Sequence, residues 1–216
     1  MLAKVKFCGM TRPQDAALAA EIGASYVGVI FADGPRKVSV DRAREILDAA
    51  GAAVKHVGVF GTNDADYIAE VAEEVGISVV QMHADPGSSE VEALRRRFDG
   101  EVWAAIRVTG VHIPHEFDEL FETADGVLLD AHGGQKLGGT GIPLPWNELA
   151  VDLARDRGSA EVILAGGLNP KNVATAVRIL APDVVDVSSG VESSPGIKDP
   201  WLMREFYEAA VGHTVA

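Results

Sequence analysis

At 216 residues with 47% apolar side chains, the chain is long enough to bury a full core, and 19 Lys and Arg against 32 Asp and Glu leave a formal charge of −13. That balance argues against nucleic acid or an anionic membrane as partner, so an anionic substrate would have to be drawn in by local positive features. A single cysteine excludes an intrachain disulfide framework. Together with a start that runs straight into a strand and no apolar run of membrane-spanning length, it sets the expectation of a cytoplasmic protein without a leader.

Short strands alternate with helical patterns along the whole chain, with no linker or low-complexity tract between them. Strand one is predicted at Val5–Cys8, with Thr11 and Gln14 as the capping box of a helix that stops near Gly23. Strand two is predicted at Tyr26–Phe31, followed by the loop Ala32–Val38 and a helix from about Val40. Strand three, Val54–Phe60, leads to a helix whose apolar stripe is Ile68, Val71, Ala72 and Val75 before Gly76. Strand four, Ser78–Met82, precedes a helix near Ser89–Phe98. Strand five, Val102–Val108, precedes a weakly patterned helix around Glu116–Thr123. Strand six is Gly126–Asp130, followed by a long glycine-rich loop and a helix over Trp146–Arg157.

Strands seven and eight, Val162–Ala165 and Val184–Val187, flank a helix with Asn169 as N-cap, Pro170 in the first turn and the stripe Val173, Ala176, Val177, Leu180. A last helix is predicted over about Pro200–Ala210. Eight strand–helix units imply a parallel sheet, and the expected fold is a single-domain (β/α)8 barrel over residues 1–216. A doubly wound open sheet is the alternative; no Gly-x-Gly-x-x-Gly follows strand one to support it.

In such a barrel chemistry resides at the C-terminal ends of the strands. Gly166-Gly167 after strand seven and Ser188-Ser189-Gly190 after strand eight offer two glycine-bearing turns side by side, which suits a bound phosphate on backbone N–H groups. Either turn alone would more simply be a tight connection. Cys8 ends strand one, and by alternation Lys6 shares its face. An ammonium there would favour the thiolate, and an ion pair of Lys6 with Asp186 is an equally good and compatible reading. Asp130 tips an apolar strand with no helix following promptly. The loop over 131–146 is expected to be a lid or binding loop. Arg36, in a strand-to-helix loop on the same face, could pair with a carboxylate. His83 is the weakest candidate. No His, Cys, Asp and Glu spacing makes a metal site, and no cofactor fingerprint is present.

Several stretches resemble the phosphoribosylanthranilate isomerase family of tryptophan biosynthesis. They are V-K-F-C-G-M-T-R at 5–12, G-P-R at 34–36, V-V-Q-M-H at 79–83, L-L-D at 128–130 and G-G-T-G at 138–141. L-A-G-G-L-N-P at 164–170, V-D-V-S-S-G-V-E at 185–192 and P-G-I-K-D at 195–199 complete the set, in consistent order from end to end. The resemblance implies that Cys8 is the general base, Asp130 the general acid and Arg36 the anchor of an anthranilate carboxylate. It implies Gly166, Gly167, Ser189 and Gly190 as the phosphate cradle; His83 is a further substrate-binding candidate on its strand-end place alone. Gly34, Ala84 and Leu144-Pro145 depart from the family's usual residues, which bears on loop detail and leaves acid and base untouched.

The reaction implied is a cofactor-free Amadori rearrangement of N-(5-phosphoribosyl)anthranilate, a small phosphorylated substrate, by a monomer or homodimer. It needs a neutral carboxyl at Asp130 and a thiolate at Cys8 at one pH. Two rivals stand beside it. Another phosphosugar barrel isomerase, of the histidine-pathway type, would carry an Asp on strand one where this chain has Cys8. A catalytically silent barrel that only binds a phosphorylated ligand would have no use for the pair Cys8 and Asp130.

Overall fold

In the computed structural model, which describes residues 3–108, 112–130, 146–153 and 158–212, the first strand pairs with both the second and the last, and that double pairing closes the sheet. β1 (Lys4–Phe7) is followed by α1 (Pro13–Ile22), β2 (Tyr26–Ile30), α2 (Val40–Ala50), β3 (Lys55–Phe60) and α3 (Ala65–Val75). β4 (Val79–Met82), α4 (Ser88–Arg95), β5 (Glu101–Arg107), α5 (Leu120–Thr123), β6 (Gly126–Asp130) and α6 (Trp146–Leu153) continue the alternation. β7 (Glu161–Ala165), α7 (Val173–Leu180) and β8 (Val184–Val187) complete it, and α8 (Pro200–Val211) ends it. All eight barrel strands run parallel in chain order, which is the expected (β/α)8 architecture.

Strand alternation divides the core in two. One set of side chains, such as Phe7, Val27, Val80 and Leu129, packs outward under the helices. The other, including Tyr26, Val57, Trp103, Leu128 and Ile163, fills the barrel itself. Tyr26 and Trp103 meet edge to face at 4.8 Å, and Tyr26 Oη donates to Glu161 Oε2. Lys4 pairs with Glu161 and Lys55 with Glu101 at the N-terminal strand ends. That end of the barrel is filled with bulk, so its cavity opens at the other end.

Most helix boundaries follow their local chemistry. Ser39 caps α2 by accepting from Arg42 N, Asp64 caps α3, and Gly23 and Gly76 end α1 and α3 in the left-handed region that suits glycine. Three expectations need correction. Thr11 does not cap α1: its hydroxyl donates to Gly196 O, and Arg12 precedes the helix without a side-chain cap. Asn169 does not open α7 either. It forms a turn with Asn172, in which Asn172 Oδ1 accepts Asn169 N and Asn169 Oδ1 accepts Lys171 N, and the helix begins at Val173. The helix expected at Glu116–Thr123 is a 3-10 turn, His115–Phe117, and the four-residue α5. Four acidic side chains crowd residues 116–122 while Leu120 and Phe121 supply its buried face, too little for a longer helix.

Beyond β8 the chain makes a short antiparallel hairpin that the sequence reading lacked, β9 (Glu192–Ser194) with β10 (Ile197–Lys198). It packs back on α1: Asp15 accepts two bonds from Arg12 and one from Lys198 N. Among the described residues no helix is long and apolar enough to cross a membrane.

Candidate active site

A cavity of about 360 Å³ sits at the C-terminal ends of the strands. Cys8 and Asp130, Arg36 and His83, and the turns Gly166-Gly167 and Ser189-Gly190 all line it. The residues expected to act as acid, base, anchor and phosphate cradle are therefore brought to one place, with His83. The loop over 131–145, including the G-G-T-G stretch and His132, lies outside the described residues.

Cys8 follows β1 directly and is buried. Lys6, two positions earlier, shares its inward face as expected, and a Cβ placed on Gly28 of the neighbouring strand would meet both Cys8 Sγ at 3.1 Å and Lys6 Cε at 3.3 Å. Glycine at 28 keeps thiol and lysine stem side by side. The Lys6 ammonium is fully buried and donates to Asp186 Oδ2 at 2.8 Å and Gln81 Oε1 at 2.9 Å. The barrel closure sets this pairing, since Lys6 is in register with Asp186 across β1 and β8. Burial pulls the Lys6 pKa down, yet the Asp186 carboxylate, with a smaller contribution from Cys8, more than offsets it, and the net direction is up.

The expected thiolate at Cys8 needs correction. Burial pushes the thiol pKa up; Lys6 pulls it down, Asp186 pushes it up again, and Lys198 lowers it by less. The net direction is upward, towards the neutral thiol. The reason is that Lys6 does not stand alone: its charge is already answered by Asp186, and a neutralised pair compensates little of the desolvation of a third group.

Asp130 ends β6, partly exposed to the cavity. His83 Nε2 lies 3.4 Å from Asp130 Oδ2, and His83 Nδ1 lies 2.9 Å from Gln81 Nε2. Strand alternation explains the grouping: Gln81 and His83 both face inward from β4, and Asp130 faces inward from the far side of β5.

Arg36 reaches the cavity from the loop after β2, where a Cβ on Gly9 would collide with its Cδ at 2.6 Å. Gly9 has φ of +69°, so the close approach and the left-handed turn both require glycine there. The guanidinium fork is engaged by Glu192, Nε to Oε1 at 2.8 Å and Nη2 to Oε2 at 2.6 Å. Buried Lys198 also donates to Glu192 Oε1 at 2.9 Å and to Ser188 O at 3.0 Å. Burial pulls the Lys198 pKa below its ordinary value against the pull of Glu192. Burial would raise Glu192, but bonds from Arg36 and Lys198 outweigh it and hold its carboxyl below the usual range. Arg36 itself is raised, chiefly by its bonds to Glu192. An expected open fork is thus half occupied, and the Nη1 side is what remains for a ligand.

The two glycine turns abut. Gly166 and Gly167 have φ of 89° and 69°. A Cβ on Gly190 would lie 1.9 Å from Leu168 O, a separation no side chain tolerates. The glycines therefore serve close approach between the β7 and β8 turns, which brings their backbones to one wall of the cavity. Ser188 Oγ, in the same wall, is buried without a hydrogen-bond partner among the described residues, as is Asp186 Oδ1. No group of three or more His, Cys, Asp or Glu that could hold a metal occurs among the described residues.

Sequence reading passed over Gln81, Glu192 and Lys198 as site residues. Glu192 and Lys198 sit in matching stretches, but Glu192 meets Arg36 156 positions away and Lys198 joins that cluster through Glu192, which no local pattern encodes. Gln81 carried a readable signal: by alternation it shares a face with His83 inside an otherwise apolar strand, where a polar side chain demands partners.

Residues 5–209 match the sequence model of the family described as N-(5'phosphoribosyl)anthranilate (PRA) isomerase. The N-(5'-phosphoribosyl)anthranilate isomerase of Rubrobacter xylanophilus is 42% identical over 210 residues, covering 97% of this chain and 99% of that protein. The crystal structure of phosphoribosyl anthranilate isomerase from Thermotoga maritima superposes with a TM-score of 0.84 at 32% identity, covering 98% of this chain and all of that one. A structure of phosphoribosyl anthranilate isomerase in complex with reduced 1-(o-carboxyphenylamino)-1-deoxyribulose 5-phosphate has a TM-score of 0.81 at 31% identity, with the same coverage.

Proposed function

The chain belongs to the N-(5'-phosphoribosyl)anthranilate isomerase family, and from that premise we propose that its cavity carries out the corresponding isomerisation in tryptophan biosynthesis, with Asp130 as general acid and Cys8 as general base. The observation that carries this reading is the convergence of a carboxyl, a thiol, a guanidinium and a pair of glycine turns on one cavity of about 360 Å³. That volume suits a small phosphorylated molecule.

The substrate phosphate sits at the Gly166-Gly167 and Ser189-Gly190 turns, where backbone N–H groups suit an anion. The anthranilate carboxylate meets the Nη1 side of Arg36, in a cluster whose two cations and one carboxylate leave net positive charge. Asp130 gives its proton to the furanose ring oxygen. The C1′–O bond breaks towards that oxygen while the anthranilate nitrogen donates its lone pair to C1′, leaving a protonated Schiff base. The ionised fraction of Cys8, small because burial favours the thiol, takes the C2′ proton; the C–H electrons form C1′=C2′ and the iminium electrons return to nitrogen. The resulting enolamine loses the proton of its 2′-hydroxyl and gains one at C1′, giving the 1-deoxyribulose ketone. No redox partner enters, since one carbon is oxidised as its neighbour is reduced.

Direct assay of N-(5-phosphoribosyl)anthranilate turnover by the purified chain tests the reading. Conversion without added cofactor, lost in Cys8→Ser and Asp130→Asn, is the expected result. A folded protein that binds the product but never turns the substrate over would leave only the silent-barrel alternative.

A further inference from the structure

Hydrogen bonds cross the barrel floor in one direction. Lys6 Nζ can only donate, and it donates to Gln81 Oε1 at 2.9 Å. This turns the other end of the same carboxamide, Nε2, towards His83 Nδ1 at 2.9 Å. An amide NH2 group has no lone pair to offer, so Nδ1 must be the acceptor. In a neutral imidazole the proton then resides on Nε2, the nitrogen that faces Asp130 Oδ2. Flipping the amide would set its NH2 group against the buried Lys6 ammonium, donor against donor. Lys6 is fully buried and Gln81 nearly so, so water cannot relieve that clash.

We propose that Lys6 and Gln81 are positioning residues that hold His83 as its Nε2–H tautomer, so that an N–H group faces Asp130 Oδ2 and Asp130 carries its own proton on Oδ1. This rests on Asp130 being the general acid. The opposite tautomer would turn a lone pair towards Asp130, and the carboxylic proton would be held in an internal O–H···N bond, away from the ring oxygen it must reach. Lys6 thereby serves both halves of the reaction: it lies beside the Cys8 thiol and it fixes, through two side chains, the proton position at Asp130. A carboxamide suits the middle of this chain, because it transmits orientation without itself gaining or losing a proton at ordinary pH.

Nitrogen NMR of protein labelled in its histidines tests the tautomer directly, with the His83 signal identified by its loss in His83→Asn. The native protein should show His83 with a bare Nδ1 and a protonated Nε2. Gln81→Glu keeps the shape, suits Lys6, and places an acceptor against Nδ1. It should shift the proton of His83 to Nδ1 and lower kcat by about 10²-fold, the low end of general acid catalysis, with far less change in KM. Gln81→Met, which removes the donor without adding charge, should give mixed tautomers should the Glu variant fold poorly. A native His83 protonated on Nδ1 would overturn the proposal, and so would a Gln81→Glu protein with a switched tautomer and native kcat. Turnover retained by Asp130→Asn would remove the acid assignment instead, while leaving the NMR result readable by itself.

Discussion

Arg36 and Glu192 stand 156 positions apart in sequence and meet through two parallel hydrogen bonds, of 2.8 and 2.6 Å, on the rim of the cavity that holds Cys8. The same carboxylate takes buried Lys198, so one anion separates two cations. Glu192→Gln should bring those cations together uncompensated and cost about 3 kcal/mol of unfolding free energy in urea titration, the scale for breaking a buried pair. Arg36→Met leaves the Lys198–Glu192 pair intact and should cost less stability. It should instead raise KM by roughly tenfold or more, since a charge-assisted bond contributes ~1.5–3 kcal/mol. The reverse ranking in stability would make Arg36 a structural partner first and a substrate anchor second.

Asp130→Asn should fold with a native melting temperature and lose about 10²–10⁴-fold in kcat, because an amide cannot supply the ring-oxygen proton. Asp130 is partly exposed and ends its strand, so the change disturbs little packing. Near-native turnover would put the acid elsewhere, with His83 and then His132 next to be tested.

The Cys8 thiol gives a pH signature. Burial raises its pKa in the folded protein, so the native fold favours the protonated thiol relative to the unfolded chain. That contribution to stability is complete below the unfolded thiol's value of ~8.5 and is lost as pH rises through the higher folded value. Wild type should therefore lose stability relative to Cys8→Ser as pH rises above ~8.5. Iodoacetamide can modify only this cysteine, and its rate should climb with a midpoint above ~8.5 in the unliganded enzyme. A midpoint below that value would mean that Lys6 and Lys198 outweigh burial. Bound product should slow alkylation, and the fully alkylated enzyme should be inactive.

Gly190→Ala tests the approach of the two turns. With backbone only 1.9 Å from the new Cβ, the β7 and β8 turns must separate. Affinity for inorganic phosphate should fall by at least about tenfold, or ~1.4 kcal/mol, by calorimetry. The barrel itself should persist, because neither turn belongs to a strand. Crystals of the native protein grown in sulfate should show the anion between these turns, and an anion bound only at the opposite barrel end would sink the assignment.

Strand–helix alternation was legible because local patterns carry it: apolar runs such as Val184–Val187 and the stripe of α3 need no tertiary information. Cys8, Asp130, Arg36 and the glycine turns were legible as strand-end residues once a barrel was inferred. Gln81, Glu192 and Lys198 were not, because each is explained by a partner on another element. Thr11 shows the same limit from the other side. Its spacing to Gln14 satisfies a local capping rule, yet the β9–β10 hairpin offers Gly196 O and takes the hydroxyl away. The charge on Cys8 was misjudged for a related reason: strand alternation put Lys6 beside it, but the balance between desolvation and Lys6 depended on how fully Asp186 answers the ammonium.

Lys6 and Asp186 lie on the first and last barrel strands, with 180 positions between them. No shorter piece of the chain can hold both. During synthesis the buried ammonium of β1 has no carboxylate to meet until β8 has emerged, so an N-terminal half-barrel would carry an unanswered charge in its floor. Ring closure is thus a long-range, late-paid contact of the kind that slows folding. It also means that the acid-positioning chain through Gln81 is anchored at a seam: breaking the β1–β8 pairing alone should switch off catalysis while most of the helices and strands remain in place.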